Sequence, residues 1–261
     1  MNSFDRMAAL VTGAGSGIGA AAARELARRG AAVGLLSRTR SQLEAVAGEI
    51  ESAGGRALVL AADVSEERGL AEAIESLVAR FGRLDIVVAN AGINGTWAPI
   101  EKLGFDEFRK TVEVNLFGTF ATIKLSVPFL KRQGGAIVVT SSVNGTRMYS
   151  NSGATAYSAT KAAQVAMARM LALELAQDRI RVNSVCPGAI TTQIDENTRS
   201  EDVDEAREPV VYPEGEIPLT DGRPGSAEQV AQLIAFLASD AASHITGSEV
   251  FIDGGQSLLQ G

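Results

Sequence analysis

The chain has 261 residues, a formal charge of −7 from 24 basic and 31 acidic side chains, one cysteine and one histidine. A lone Cys186 forms no intrachain disulfide, and with only His244 beside it no Cys- or His-based metal site can be assembled. An apolar fraction of 46% lies in the ordinary globular range of about 45–50%, and the acidic balance argues against nucleic acid, whose affinity comes largely from cations that neutralise phosphates.

The longest uncharged stretch, residues 7–23, is interrupted by Gly13, Gly15, Gly17 and Gly19. Each glycine weakens a helix by about 1 kcal/mol relative to alanine, and no run reaches the ~20 apolar residues that span a bilayer. The expectation is a cytoplasmic protein with no membrane partner. From residue 8 onward, short β-branched runs alternate with longer amphipathic stretches. Strands are predicted at 8–12, 32–36, 57–60, 84–89, 136–140, 181–186 and 249–252, and helices at 20–29, 42–52, 66–81, 105–131, 155–177 and 227–238. This βαβα rhythm predicts an α/β fold: one domain over 1–261, with a seven-stranded parallel sheet and helices on both faces. Residues 193–223 lack a period and collect Pro209, Pro213 and Pro218, which reads as a substrate lid.

The first predicted strand runs into Gly13-Ala14-Gly15-Ser16-Gly17-Ile18-Gly19, and a helix opens immediately afterwards. Glycines there permit a tight turn and bring backbone N–H groups against a pyrophosphate at a helix N-terminus. Ser37-Arg38-Thr39 follow the second strand, where proteins selective for the 2′-hydroxyl commonly place an acid. A guanidinium can instead pair with a 2′-phosphate, so NADP(H) is favoured, with NAD(H) left open. Asp63-Val64 and Asn90-Ala91-Gly92 end the third and fourth strands, at the edge where open α/β sheets bind ligands. Asp63 reads as an acceptor for an adenine amine or as a helix cap.

Tyr157 and Lys161 are four apart at a helix start and therefore share a face. A phenol titrates near 10, so it serves as an acid or base at neutral pH only beside a cation, which Lys161 supplies. Ser142, at the end of the fifth strand, offers a hydroxyl to a substrate carbonyl. Asn144 and Tyr149, in the loop between Ser142 and Tyr157, and Gln193, at the start of the lid, are candidate substrate contacts. Trp97 reads as a cleft wall or as loop packing, and Cys186 as a small buried apolar residue.

Together, Thr12–Gly19 as TGAGSGIG, Asn90–Gly92 as NAG, Asn115, Ser142, Tyr157-Ser158-Ala159-Thr160-Lys161 and Pro187-Gly188-Ala189-Ile190-Thr191-Thr192 resemble the short-chain dehydrogenase/reductase family. The resemblance spans nearly the whole chain. It implies a single doubly wound Rossmann domain, a nicotinamide cofactor, and an Asn-Ser-Tyr-Lys tetrad on Asn115, Ser142, Tyr157 and Lys161. It places Pro187, Gly188, Ile190 and Thr192 at the nicotinamide carboxamide, and it has Lys161 bind the nicotinamide ribose and Asn115 position a proton-relaying water. It also implies a homotetramer or homodimer and a small-molecule carbonyl or alcohol substrate. A 3-oxoacyl thioester reductase and a non-catalytic nucleotide-binding regulator are the competing functions.

The charge is local. Between Gln193 and Glu216 lie nine acids and two arginines, so the lid alone carries the net −7 of the chain. Such a run is either a solvated face or, if it faces the cleft, a barrier to anionic substrates.

Overall fold

The computed structural model describes residues 4–192, 198–206 and 217–260. β1 (Ala8–Thr12) is buried along its entire length, as a strand covered on both faces must be, and leads through the glycine turn into α1 (Gly17–Arg28). The chain continues through β2 (Ala32–Ser37), α2 (Arg40–Ser52), β3 (Arg56–Ala61), α3 (Glu67–Phe81) and β4 (Ile86–Ala89). The last of these begins two residues later than the pattern predicts. Asp85 is withdrawn from the strand because its carboxylate accepts from Arg83 and from the Ala8 backbone N–H.

Beyond β5 (Gly95–Trp97), the helix expected over 105–131 is divided. It consists of α4 (Phe105–Val112), a π turn over Glu113–Phe117 and α5 (Gly118–Leu130). The wider turn rotates Asn115 inward, where it is fully buried. Gly118 lets the helix close onto Val64, whose Cγ2 would lie 2.6 Å from a Cβ at that position. β6 (Gly135–Thr140), α6 (Thr155–Glu174), β7 (Ile180–Pro187) and β8 (Ile190–Thr191) follow. The stretch 193–223 is not wholly irregular: β9 (Thr198–Ser200) pairs in parallel with β5, and just beyond it β10 (Gly225–Ser226) pairs with β8. α7 (Ala227–Ala238), β11 (Glu249–Ile252) and α8 (Gln256–Gln260) complete the chain.

Seven strands form one parallel sheet in the order β11-β7-β6-β4-β1-β2-β3. The chain winds outward in both directions from β1 and β4, so their carboxyl ends mark the switch point where a crevice opens. One core layer packs α1, α2 and α7 through Leu26, Leu43 and Ile234 against Val11 and Val33. The other packs α3, α5 and α6 through Leu77, Ile123 and Ala168 against Leu10 and Val87. Among the described residues, no helix is long and apolar enough to cross a membrane, and no cluster of His, Cys, Asp or Glu could hold a metal.

Candidate active site

A cleft of about 650 Å³ runs along the carboxyl edge of the sheet. At one end Gly13 (φ +66°) and Gly17 (φ +51°) turn the backbone under it. A Cβ on Gly13 would meet Asn90 Nδ2 at 2.9 Å, and one on Gly19 would run into the Gly13 carbonyl, so Gly19 serves the packing of α1. Ser16 precedes α1 without making a side-chain cap, the first turn holds no acid, and Ser16, Gly17 and Ile18 line the cleft. Uncapped N–H groups at a positive helix end fit the pyrophosphate of a dinucleotide.

Asn90 braces this floor. Its Nδ2 donates to the Thr12 carbonyl at 3.0 Å, while Thr12 Oγ1 accepts from the N–H groups of Asn90 and Ala91, both at 3.0 Å. Asn90, Ala91 and Gly92 line the middle of the cleft, and Pro187, Gly188, Ile190 and Thr192 line its far wall. Ser37, Arg38 and Asp63 lie beyond it. Arg38 is 64% exposed and 3.8 Å from the Asp63 carboxylate, whose other oxygen accepts from the N–H and hydroxyl of Ser65. Val64, too, is not among the residues that line the cleft, and its side chain is buried against Gly118.

At the other end, the sequence-predicted tetrad converges on one place. Ser142 lies just past β6 with its Oγ accepting from the Asn144 N–H at 3.1 Å, leaving its own O–H to face the cleft. Ser141 points the opposite way and donates to the Lys161 carbonyl at 2.8 Å, as strand alternation requires. Tyr157 and Lys161 share the cleft face of α6, with the ammonium 5.5 Å from the phenol ring centroid. Lys161 is buried, which pulls its pKa down to about 8, and Nζ donates to the Thr140 carbonyl at 2.8 Å. Cys186 lies near it but cannot serve as a counter-ion, because burial pushes the thiol up to about 12.

Asn115 touches the site from behind. Its Oδ1 accepts from the Ile93 N–H at 2.8 Å, and its Nδ2 donates to the Ile93 carbonyl at 2.9 Å and to Thr160 Oγ1 at 3.1 Å. Gly92 lets both groups approach the backbone closely: a Cβ there would lie 3.3 Å from Asn115 Oδ1 and 3.5 Å from Lys161 Nζ.

Of the expected substrate contacts, Asn144 lines the cleft. Tyr149 does not; it is 71% exposed, and its hydroxyl donates back to the Gly145 carbonyl. The ring turns outward because that loop closes on itself. Gln193 lies outside the described residues. Trp97, left open by the sequence, forms a wall of the cleft with its ring centroid 6.5 Å from that of Tyr157.

Residues that sequence reasoning missed include Asn94, Asn151 and Gln256, all lining the cleft, and Gln164. Gln256 Oε1 accepts from the Ala189 N–H at 2.8 Å and fixes the turn after β7. Gln164 is fully buried, and its Nε2 donates to the Asn115 carbonyl and to Thr119 Oγ1, each at 2.8 Å. Its place three residues after Lys161, on the same helix face, is a signal that could have found it.

The family described as "Enoyl-(Acyl carrier protein) reductase" matches residues 13–257. Among curated relatives, the cis-4-hydroxycyclohexanecarboxylate dehydrogenase of Sinomonas cyclohexanicum is 39% identical over 259 residues, 98% of each chain. Among solved structures, a 3-ketoacyl-ACP reductase from Sinorhizobium meliloti 1021 superposes with a TM-score of 0.94 at 59% identity, covering 97% of this chain and 99% of its own. A 3-ketoacyl-(acyl-carrier-protein) reductase from Brucella melitensis, solved with NADH, gives 0.86 at 34% identity over 98% and 100%. Sequence, topology and site together show that the chain belongs to the short-chain dehydrogenase/reductase family of oxidoreductases, which act on CH–OH and C=O groups with a nicotinamide dinucleotide.

Proposed function

We propose that the protein interconverts a small carbonyl compound and its alcohol, with Tyr157 as general acid and base and NADP(H) as the favoured cofactor. The observation that carries this reading is the convergence of Ser142, Tyr157 and buried Lys161 on one cleft whose floor is an uncapped helix N-terminus. When bound, the nicotinamide supplies or accepts the hydride. Gly13, Ser16, Gly17 and Ile18 hold the pyrophosphate through backbone N–H groups, and Pro187, Gly188, Ile190 and Thr192 wall the carboxamide. Ser142 donates its hydroxyl proton to the substrate oxygen and orients it. Tyr157 gives that oxygen a proton during reduction and takes it back during oxidation. Lys161 stabilises negative charge on the phenolic oxygen, and Asn115, which meets Lys161 across Gly92, positions the water that resupplies the proton.

The NADP(H) preference rests on Ser37-Arg38-Thr39 after β2, a segment without an acid. Two separate apolar faces support a homotetramer. Phe117, Phe120, Met170 and Leu173 are exposed on α5 and α6 or the π turn between α4 and α5, and Phe236, Leu258 and Leu259 on α7 and α8.

Tyr157→Phe tests the reading directly. Cofactor affinity stays within about threefold while turnover of a ketone panel falls by at least ~10³, the upper part of the range for general acid–base catalysis. A variant retaining a tenth of kcat would sink it. The names of two similar structures favour a second reading, reduction of a 3-oxoacyl thioester on an acidic carrier protein. Such a carrier needs a basic rim. Near the mouth, however, Lys102 is already paired with Asp202 and Glu205, and Arg199 with Glu201.

A further inference from the structure

We infer that the substrate end of the cleft is built for a neutral ring bearing several hydroxyl groups, a cyclic polyol or its ketone, reacting at a secondary carbon beside Ser142 and Tyr157. This rests on the oxidoreductase reading above and names its substrate.

Three observations carry it. The first is Trp97. Its indole N–H donates back to the Asn94 carbonyl at 3.2 Å, so the polar edge is spent and the apolar face is what the cleft wall offers. The ring stands 6.5 Å from that of Tyr157 with their planes inclined at 43°, a wedge suited to one face of a saturated ring.

The second is a set of carboxamides. Asn94 Nδ2 donates to Thr198 Oγ1 at 2.7 Å and Asn151 Nδ2 to Asn144 Oδ1 at 3.0 Å. Asn94 Oδ1, Asn151 Oδ1 and Asn144 Nδ2 are left over, two acceptors and one donor, and none of them is among the sealed unpaired atoms of the core. All three residues line the cleft. A hydroxyl group donates and accepts at once, so it satisfies either kind of leftover atom. An unsubstituted hydrocarbon would strip water from these amides and return nothing, at about 1–3 kcal/mol per group.

The third is charge. Among the described residues lining the cleft, Lys161 is the only charged side chain, and its ammonium is engaged by the Thr140 carbonyl beside Tyr157. Nothing else there offers a counter-ion to a carboxylate or a phosphate. In the oxidation, the ring carbon loses its hydrogen as hydride to the oxidised nicotinamide cofactor, and the hydroxyl proton passes to Tyr157. Two electrons leave the substrate and two enter the cofactor.

The test is steady-state kinetics with NADP⁺ and NAD⁺ on cyclohexanol, trans-1,2-cyclohexanediol and myo-inositol. The thioester of 3-oxobutyrate with N-acetylcysteamine is assayed in the reducing direction. The expected result is a kcat/KM at least tenfold higher for the diol or the polyol than for cyclohexanol, and higher than for the thioester. Asn144→Ser and Asn151→Ala then shrink the polyol-to-cyclohexanol ratio to below threefold, mainly through KM, with circular dichroism confirming that both variants fold. Turnover of cyclohexanol or the thioester without any gain from added hydroxyls overturns this inference alone, as does a ratio that neither variant moves. A protein that binds cofactor yet turns over none of the probes overturns the oxidoreductase reading with it.

Discussion

Replacing Lys161 by Met should stabilise the protein at neutral pH while abolishing turnover. Burial lowers the ammonium from its ordinary 10.5 to about 8, so the folded chain holds this proton less tightly than the unfolded chain does. At about 1.36 kcal/mol per tenfold change, keeping a charged lysine in that position costs the folded state about 3 kcal/mol at pH 7. The hydrogen bond from Nζ to the Thr140 carbonyl returns about 1 kcal/mol, which leaves a net gain of about 2 kcal/mol for the unbranched, uncharged Met. The sign of the pH dependence follows from the same pair of values. Between about 8 and 10.5 the unfolded chain binds more protons than the folded one, so the wild-type contribution improves as pH rises through that window. By pH 9.5 the cost has fallen to about 1 kcal/mol, and the advantage of Met nearly vanishes. Urea denaturation of both proteins without cofactor, at pH 7.0 and 9.5, measures this. A variant less stable than wild type at pH 7.0, or a gain equally large at pH 9.5, would refute the argument that Lys161 is retained for chemistry at the expense of stability.

Gly92→Ala should fold, but its Cβ would press on Asn115 Oδ1 at 3.3 Å and lie 3.5 Å from Lys161 Nζ, so Asn115 must shift by a few tenths of an ångström where it faces the ammonium. We expect kcat to fall at least tenfold, and a kcat within twofold of wild type would remove the water from the relay. Gln164→Met keeps the volume and deletes the donor to the Asn115 carbonyl, so kcat should drop about tenfold with a shifted pH–rate profile, while the melting temperature changes little because the unpaired Gln164 Oε1 disappears too. An unchanged profile would reduce Gln164 to packing. Arg38→Asp exchanges a phosphate-pairing cation for an acid, and a charged hydrogen bond of about 1.5–3 kcal/mol makes the NADPH-to-NADH ratio of kcat/KM fall at least tenfold. A ratio unmoved by the substitution would place the 2′-phosphate, or the cofactor preference, elsewhere.

The sheet was legible because a buried parallel strand writes a continuous apolar run, and β1 and β2 do so almost without interruption. The tetrad was legible because Tyr157 and Lys161 obey helix spacing and Ser142 closes a strand. The π turn was not. One extra residue in a helix leaves the apolar pattern on either side nearly intact, so a stretch that reads as one helix conceals the turn that carries Asn115 inward. Trp97 was ambiguous for a different reason: its position depends on β5 pairing with β9, about a hundred residues away, and no local pattern encodes that register.

The acidic lid shows how a local sequence feature acquires its meaning from distant partners. Nine acids in one stretch read equally as solvated surface or as an electrostatic gate over the cleft. Of the four that lie among the described residues near β9, Asp202 and Glu205 converge on Lys102, and Glu201 pairs with Arg199. None lines the cleft. Burial and two hydrogen-bonded carboxylates decide the electrostatics of Lys161 and Lys102 in opposite directions: the first is lowered by a dry pocket, and the second is raised by its acidic neighbours. Asp202 and Glu205 thus fasten their stretch to the segment between Trp97 and α4, and none of the described acids stands at the reacting end. Among the described residues, a chain with a net charge of −7 in this way lines its cleft with a single charged side chain, Lys161.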